Sequence, residues 1–161
     1  MPDSTDVTPG AVSPGDRTAI RTIRVSALVL RRGDAMLMVR KRGTAAYMLP
    51  GGKPEPGEAP IDTIIREVDE ELGLPLASED LEELGTFEAP AANEADHLVI
   101  GEVFIHRGMP EGFDFDEIRP KAEIDSVAWF VPDALPEDSA ALTIAPLTRA
   151  QVVPALARLL G

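Results

Sequence analysis

One stretch of this chain leaves little freedom in how it can fold. Across residues 58–72 the apolar side chains Ile61, Ile64, Ile65, Val68 and Leu72 recur at helical spacing and form one continuous stripe. Gly73 follows directly, where a helix ends on a left-handed residue, and Pro75 blocks any continuation. A helix is expected over 58–72, and its stripe must be covered by another layer.

The surroundings have a different period. Alternating Ile23, Val25, Ala27 and Val29 predict a strand, Arg32-Gly33-Asp34 a turn, and residues 35–39 the hairpin partner of that strand. Tyr47-Met48-Leu49 is a short apolar piece ending at Pro50-Gly51-Gly52. Residues 84–87, 98–105 and 127–131 predict further strands, and 146–160 a closing helix kinked at Pro154. Strands, one strong helix, more strands and a terminal helix make a mixed α/β chain without internal repeats. Residues 1–17 are rich in Pro, Gly, Ser, Thr and Asp, so a mobile tail is expected there, with 18–161 as one domain. A length of 161 residues with 44% hydrophobic content suits a single core.

Charge narrows the partners. With 28 acidic against 15 basic residues, the net charge of −13 repels duplex nucleic acid and acidic membranes. A small phosphorylated ligand remains open if cations bridge the repulsion. The chain has no cysteine, which excludes disulfides, thiolate metal sites and cysteine nucleophiles. No run approaches the roughly 18 apolar residues of a membrane helix. Asp3 and Asp6 stand where a signal peptide would be basic, so a cytoplasmic protein is expected.

On the expected helix, Glu67, Glu70 and Glu71 share a face beside the apolar stripe, with Cβ atoms about 5–6 Å apart at three- and four-residue spacing. Carboxylates that close repel unless the face is well solvated or a cation sits among them. Hard oxygen donors favour Mg²⁺ or Mn²⁺. Just upstream, Gly51-Gly52 lets backbone approach a ligand closely, and Pro50, Pro54 and Pro56 stiffen the loop. Taken singly, these features also suit a wet helix face and an ordinary turn.

Their conjunction is more specific. Gly52, five residues, Glu58, seven residues, Arg66-Glu67-Val68, one residue, Glu70-Glu71, one residue and Gly73-Leu74 resembles a complete Nudix box, 23 residues covering about a seventh of the chain. The resemblance implies an α/β/α sandwich with a mixed β-sheet, and hydrolysis of a nucleoside diphosphate linked to another moiety. It implies that Glu67, Glu70 and Glu71 hold Mg²⁺ or Mn²⁺ with the backbone carbonyl of Gly51, and that Glu58 adds a further carboxylate. Arg66 is expected to orient Glu67 through a bidentate contact. The general base is expected to be Glu67 or Glu123; the latter, six residues before Trp129, resembles a downstream base of some members but also suits an ordinary loop acid. Family members often pair as homodimers, which leaves that state open here.

The box does not name the substrate. Arg40, Lys41 and Arg42 could meet phosphate or form a solvated strand end, and Tyr47 could stack on a base or belong to the core. In the stretch from Thr86 to Glu94, Phe87 is a candidate contact and Asn93 could read a base edge. Pro90 is one position away from a proline that marks ADP-ribose-type members, which gives that likeness little weight. His97 is expected at a pocket rim and His106 at a strand end. A related prenyl diphosphate isomerase would need a cysteine, and RNA decapping a long basic surface. A non-catalytic nucleotide sensor and a plain acidic scaffold are the remaining alternatives.

Overall fold

The structure, a computed structural model, describes residues 20–108 and 114–161; the expected tail at 1–17 lies outside the described residues. Its strands are β1 (Arg21–Val29), β2 (Arg31–Arg32), β3 (Ala35–Lys41), β4 (Ala46–Met48) and β5 (Gly51–Gly52), before helix α1 (Pro60–Leu72). After it come β6 (Leu81–Pro90), β7 (His97–His106), β8 (Ile124–Phe130), β9 (Thr143–Ile144) and a closing helix α2 (Val153–Leu160). They form two mixed sheets. One runs β5-β1-β7-β6; in the other, β3 carries β8 on one edge and leads through β4 to β9, with β2 also paired to it.

The expected hairpin is only partly present. The turn is there, with Gly33 at φ 60°, but it joins β3 to the two residues of β2. β1 instead runs parallel to β7, from Arg21 opposite His97 to Val29 opposite Ile105, and lies inside the first sheet between β5 and β7. Burial explains the choice. Ala27, Leu28, Val29 and Leu30 are all buried, and a strand covered on both faces belongs inside a sheet.

Strand parity then divides the core into two layers. Leu28, Leu30, Leu37 and Val39 pack with Ile64, Val68 and Leu72 of α1. Their neighbours Ala27, Val29, Met36 and Met38 face the other way, toward Leu147, Val152 and Leu156 of the closing segment. Helical layers on both sides of the sheets give the expected α/β/α sandwich.

Helix α1 starts at Pro60, two residues later than its pattern suggested, because a proline at the first turn needs no hydrogen-bonded N–H. Gly73 ends it at φ 66°, donating its N–H to the carbonyl of Asp69 at 2.8 Å. The closing segment is not uniform. Leu147–Val152 forms wide π-helical turns, in which the Val153 N–H reaches Thr148 O, and α2 begins only at Val153. Pro154 lacks the N–H that would continue a normal ladder, so the expected kink takes the form of a change in helix width. Among the described residues no helix is long and apolar enough to cross a membrane.

Candidate active site

The glycine turn is fixed to the sheet. Gly51 and Gly52 form β5, opposite Ala27 and Ser26 of β1. Gly51 has φ 153°, and a Cβ there would run into the backbone oxygen of Ser26. A Cβ on Gly52 would run into the carboxylate of Glu67. Gly51 therefore requires the absence of a side chain, whereas a side chain at Gly52 would displace the Glu67 carboxylate that lies against the turn.

Arg66 organises the entrance of α1. Its Nε donates to Glu58 Oε2 and its Nη2 to Glu58 Oε1, each at 2.8 Å. Nη1 donates to Glu67 Oε1 at 3.0 Å and to Glu70 Oε1 at 3.3 Å, and Nη2 also reaches the Lys53 carbonyl at 3.1 Å. The bidentate grip expected on Glu67 thus falls on Glu58, because Arg66 and Glu67 are chain neighbours while Glu58 folds back from before the helix. Glu58 in turn differs from its expected place in the carboxylate cluster. Both its oxygens are engaged, Oε1 also by the Thr63 hydroxyl at 2.7 Å. The Arg66 fork, then the Thr63 hydroxyl, hold its pKa down at about 2.

Glu71 is the opposite case. It is buried to 3% exposure; Oε1 accepts the Gly51 N–H at 3.2 Å, while Oε2 is buried with no hydrogen-bond partner among the described residues. Burial pushes its pKa up to about 8, against the pull of the Gly51 amide and with further repulsion from Glu67 and Glu123. Glu67 is also raised, first by burial, with Arg66 opposing and Glu70 and Glu123 adding to it.

Glu123 reaches the same place from the turn that precedes β8. The Lys121 N–H donates to Glu71 O at 2.9 Å, and the Arg42 N–H to Glu123 O at 2.8 Å, so the loop is tied to both α1 and β3. Ala122 sits at φ 56°, a left-handed conformation costly for a residue with a Cβ. Arg40 pairs with Ser126 but Lys41 with Ile124, so Asp125 is an extra, bulged residue. Across this bulge Arg40 meets Asp125 at 3.3 Å and Lys41 meets Glu123 at 3.5 Å.

A cleft of about 360 Å³ opens on this group. Glu67, Glu123, Lys41 and the two glycines lie at one part of its lining, while Val25, Val99 and Leu147 make it aliphatic elsewhere.

A family model for the NUDIX domain matches residues 20–151. The chain belongs to the Nudix family. Among curated relatives, a putative 8-oxo-dGTP diphosphatase of Bacillus subtilis (strain 168) is 27% identical over 109 residues, covering 68% of this chain and 66% of that one. An uncharacterized Nudix hydrolase of the same organism is 36% identical over 76 residues, 47% of this chain and 46% of its own. The chain thus spans less than two thirds of the length of these two relatives. Among solved structures, a MutT/nudix family protein from Enterococcus faecalis superposes with a TM-score of 0.65 at 17% identity, covering 95% of this chain and 64% of that one.

Among the described residues, no three His, Cys, Asp or Glu side chains converge closely enough to hold an ion as they stand. Arg66 supplies the counter-charge to Glu67 and Glu70. The Nudix-box residues nonetheless fit a hard divalent cation. Glu71 keeps a buried carboxylate oxygen without a partner among the described residues, Glu67 stands close by on the same helix, and the missing side chain of Gly52 lets the Glu67 carboxylate lie against the turn.

The residues proposed to touch substrate divide sharply. Asn93 lines the cleft. Tyr47 does not: it is buried in the core, bonded through its hydroxyl to Ser126 Oγ at 2.7 Å and packed edge-on against Phe130 at 5.1 Å. Phe87 packs against the same core layer, and Arg40 lies over the Tyr47 ring. Arg42 is also absent from the cleft lining, whereas Lys41 is present. Alternation along β3 was the missed signal, since Lys41 shares the α1 face with Leu37 and Val39. His106 does close β7, and His97 begins it outside the cleft lining. Lys53, Thr148 and the aliphatic wall were not picked out as cleft residues, because the pairing of β1 with β7 and the π-helical turns bring them together.

Proposed function

We propose that this Nudix domain hydrolyses the pyrophosphate linkage of a nucleoside diphosphate joined to another moiety, with Mg²⁺ or Mn²⁺ held by Glu67, Glu70 and Glu71 and the Gly51 carbonyl. The observation that carries the proposal is the buried Glu71 Oε2, without a partner among the described residues, on the same helix as Glu67, which lines the cleft. A buried carboxylate left half-satisfied is costly, and an ion is the partner that removes the cost. Similarity to a putative 8-oxo-dGTP diphosphatase of Bacillus subtilis supports a nucleotide substrate.

When bound, the cation neutralises phosphate charge and makes a coordinated water more acidic. The chain's own residues do the rest. Arg66 fixes Glu67 and Glu58, so the helix mouth keeps its shape as substrate arrives. Lys41 and Lys53, the basic side chains on the cleft lining, neutralise the outer phosphate oxygens. Glu123 receives the proton of the attacking water; it is held by Lys41 and tied through its backbone, whereas Glu67 has an oxygen engaged by Arg66. A small substrate, rather than nucleic acid or a membrane, suits the net charge of −13, and a cytoplasmic setting suits a chain without cysteine.

The test is a panel of nucleotides and nucleotide derivatives with Mg²⁺ or Mn²⁺, with product analysis to identify the broken bond. Turnover should require the cation, and Glu123→Gln should lower kcat about 10²–10⁴-fold with little change in KM. Binding without turnover across the panel would make the domain a sensor instead.

A further inference from the structure

One ion pair beside the cleft has no part in the chemistry proposed above. Arg40, a candidate phosphate contact by sequence, lies outside the cleft lining, and its Nε donates to Asp125 Oδ1 at 3.3 Å. Asp125 is the extra residue of the β3–β8 bulge, between Ser126 opposite Arg40 and Ile124 opposite Lys41. A bulge leaves one residue out of the ladder. Sliding the strand end by one residue would restore regular pairing and turn each side chain beyond it to the other face. That slip would set Asp125 opposite Lys41 and Ile124 opposite Arg42. It would carry Glu123 past Arg42, whose N–H donates to the Glu123 carbonyl at 2.8 Å. It would also turn Ile124, 2% exposed, out of the layer packed on α1.

The Arg40 contact belongs to the bulged register. Arg40 lies over the Tyr47 ring at 5.3 Å, on the face of β3 opposite to Lys41, and the Tyr47 hydroxyl meets Ser126 Oγ at 2.7 Å. In the slipped register Asp125 would share the Lys41 face instead, away from Arg40. Two neighbouring cations, Arg40 and Lys41, thus face two acids, Asp125 and Glu123, and charge alone does not assign the partners. With Asp125 held by Arg40, Lys41 is left to Glu123, which it meets at 3.5 Å. We propose that Arg40 and Asp125 are positioning residues, whose pair locks the bulged register and thereby presents Glu123 to the cleft. This deepens the catalytic reading above and takes from it the role of Glu123 as the base. The two side chains are 29% and 32% exposed, so their pair adds little to global stability. Its effect falls on the strand end that carries Glu123.

Two measurements on Asp125→Ala and Arg40→Met test this. The first is residue-resolved amide hydrogen exchange by NMR on the protein without metal or nucleotide. The Arg42 amide, bonded to Glu123, should exchange about tenfold faster in both variants. The Leu37 amide, bonded to Leu30 at 2.9 Å further along β3, should keep its wild-type rate, which separates a loosened strand end from a destabilised protein. The second is kinetics with 8-oxo-dGTP and dGTP and Mn²⁺. Each variant should lower kcat about tenfold, within the ~10²-fold that a misplacement of about 1 Å costs, and leave KM within about twofold. The effects should not add: in a Glu123→Gln background, Asp125→Ala should lower kcat no further. Wild-type exchange of the Arg42 amide in both variants overturns the proposal. So does a tenfold loss of kcat that persists in a Glu123→Gln background itself slowed as expected, since the pair would then act through another group. If wild type turns over neither nucleotide, or Glu123→Gln is as fast as wild type, the catalytic reading fails on these substrates. Faster Arg42 exchange would in that case still establish that the pair holds Glu123 in place.

Discussion

Glu58 and Glu71 belong to one motif and bracket one helix, yet the fold treats them oppositely. Glu58, before α1, is gripped by the Arg66 fork and Thr63 and held to a pKa of about 2. Glu71, in the last turn, is buried with one amide donor and pushed to about 8. The first carboxylate is satisfied within the protein and stabilises it. The second keeps one oxygen without a partner among the described residues, as suits the cation ligand proposed for it. Two equally acidic letters of the sequence thus become a satisfied clamp and a buried, half-satisfied carboxyl, and the difference is made by the Arg66 fork at one and burial at the other.

The sharpest way to break this contrast is Glu71→Gln. Metal-dependent turnover should fall by orders of magnitude, while the metal-free protein at pH 8.5 should melt no lower than wild type, since the amide carries no charge to bury. A variant that keeps most activity would remove Glu71 from the site. Arg66→Met comes next. It leaves Glu58, Glu67 and Glu70 without their shared cation, and urea denaturation should show a loss of about 2–3 kcal/mol. Glu58→Gln should show the reverse balance from Glu71→Gln, with a lower melting temperature at neutral pH and a milder loss of turnover.

The pH dependence separates the two groups by sign. Glu58 has a lowered folded pKa, so its contribution is present above its usual value of 4.5 and is lost as pH falls toward about 2. Glu71 has a raised one, so metal-free stability should decline as pH rises from about 4.5 to 8. Adding Mn²⁺ at pH 8 should reverse that decline in wild type and not in Glu71→Gln. The smallest effect expected is that of Tyr47→Phe, which removes the bond to Ser126. It should cost about 1 kcal/mol of stability and leave KM unchanged, as suits a core residue.

The same contrast explains what could be read in advance. The box residues are close in sequence, and a helix converts spacing into shared faces without outside help, so the carboxylates, Arg66 and the Gly73 stop were legible. The clamp was not, because Glu58 meets Arg66 only once Pro60 sets the start of the helix and the chain folds back. Candidate substrate contacts fell outside the cleft lining where their orientation depended on pairing. Tyr47 and Arg40 lie on the core face of the second sheet, whereas Lys41, one residue further, lies on the α1 face. Asn93 reached the cleft, and Phe87 packed inward.

By itself, the sequence determined the family, the helix, the glycine turn and the set of carboxylates, since all are encoded by spacing within 23 neighbouring residues. Only the tertiary structure decided which of those acids is buried and which is clamped. It also decided which strand lies beside β1, and that Thr148 opens on a cleft far from it in sequence. Burial and long-range strand pairing arise from packing between segments that are distant along the chain. Local periodicity carries no record of them.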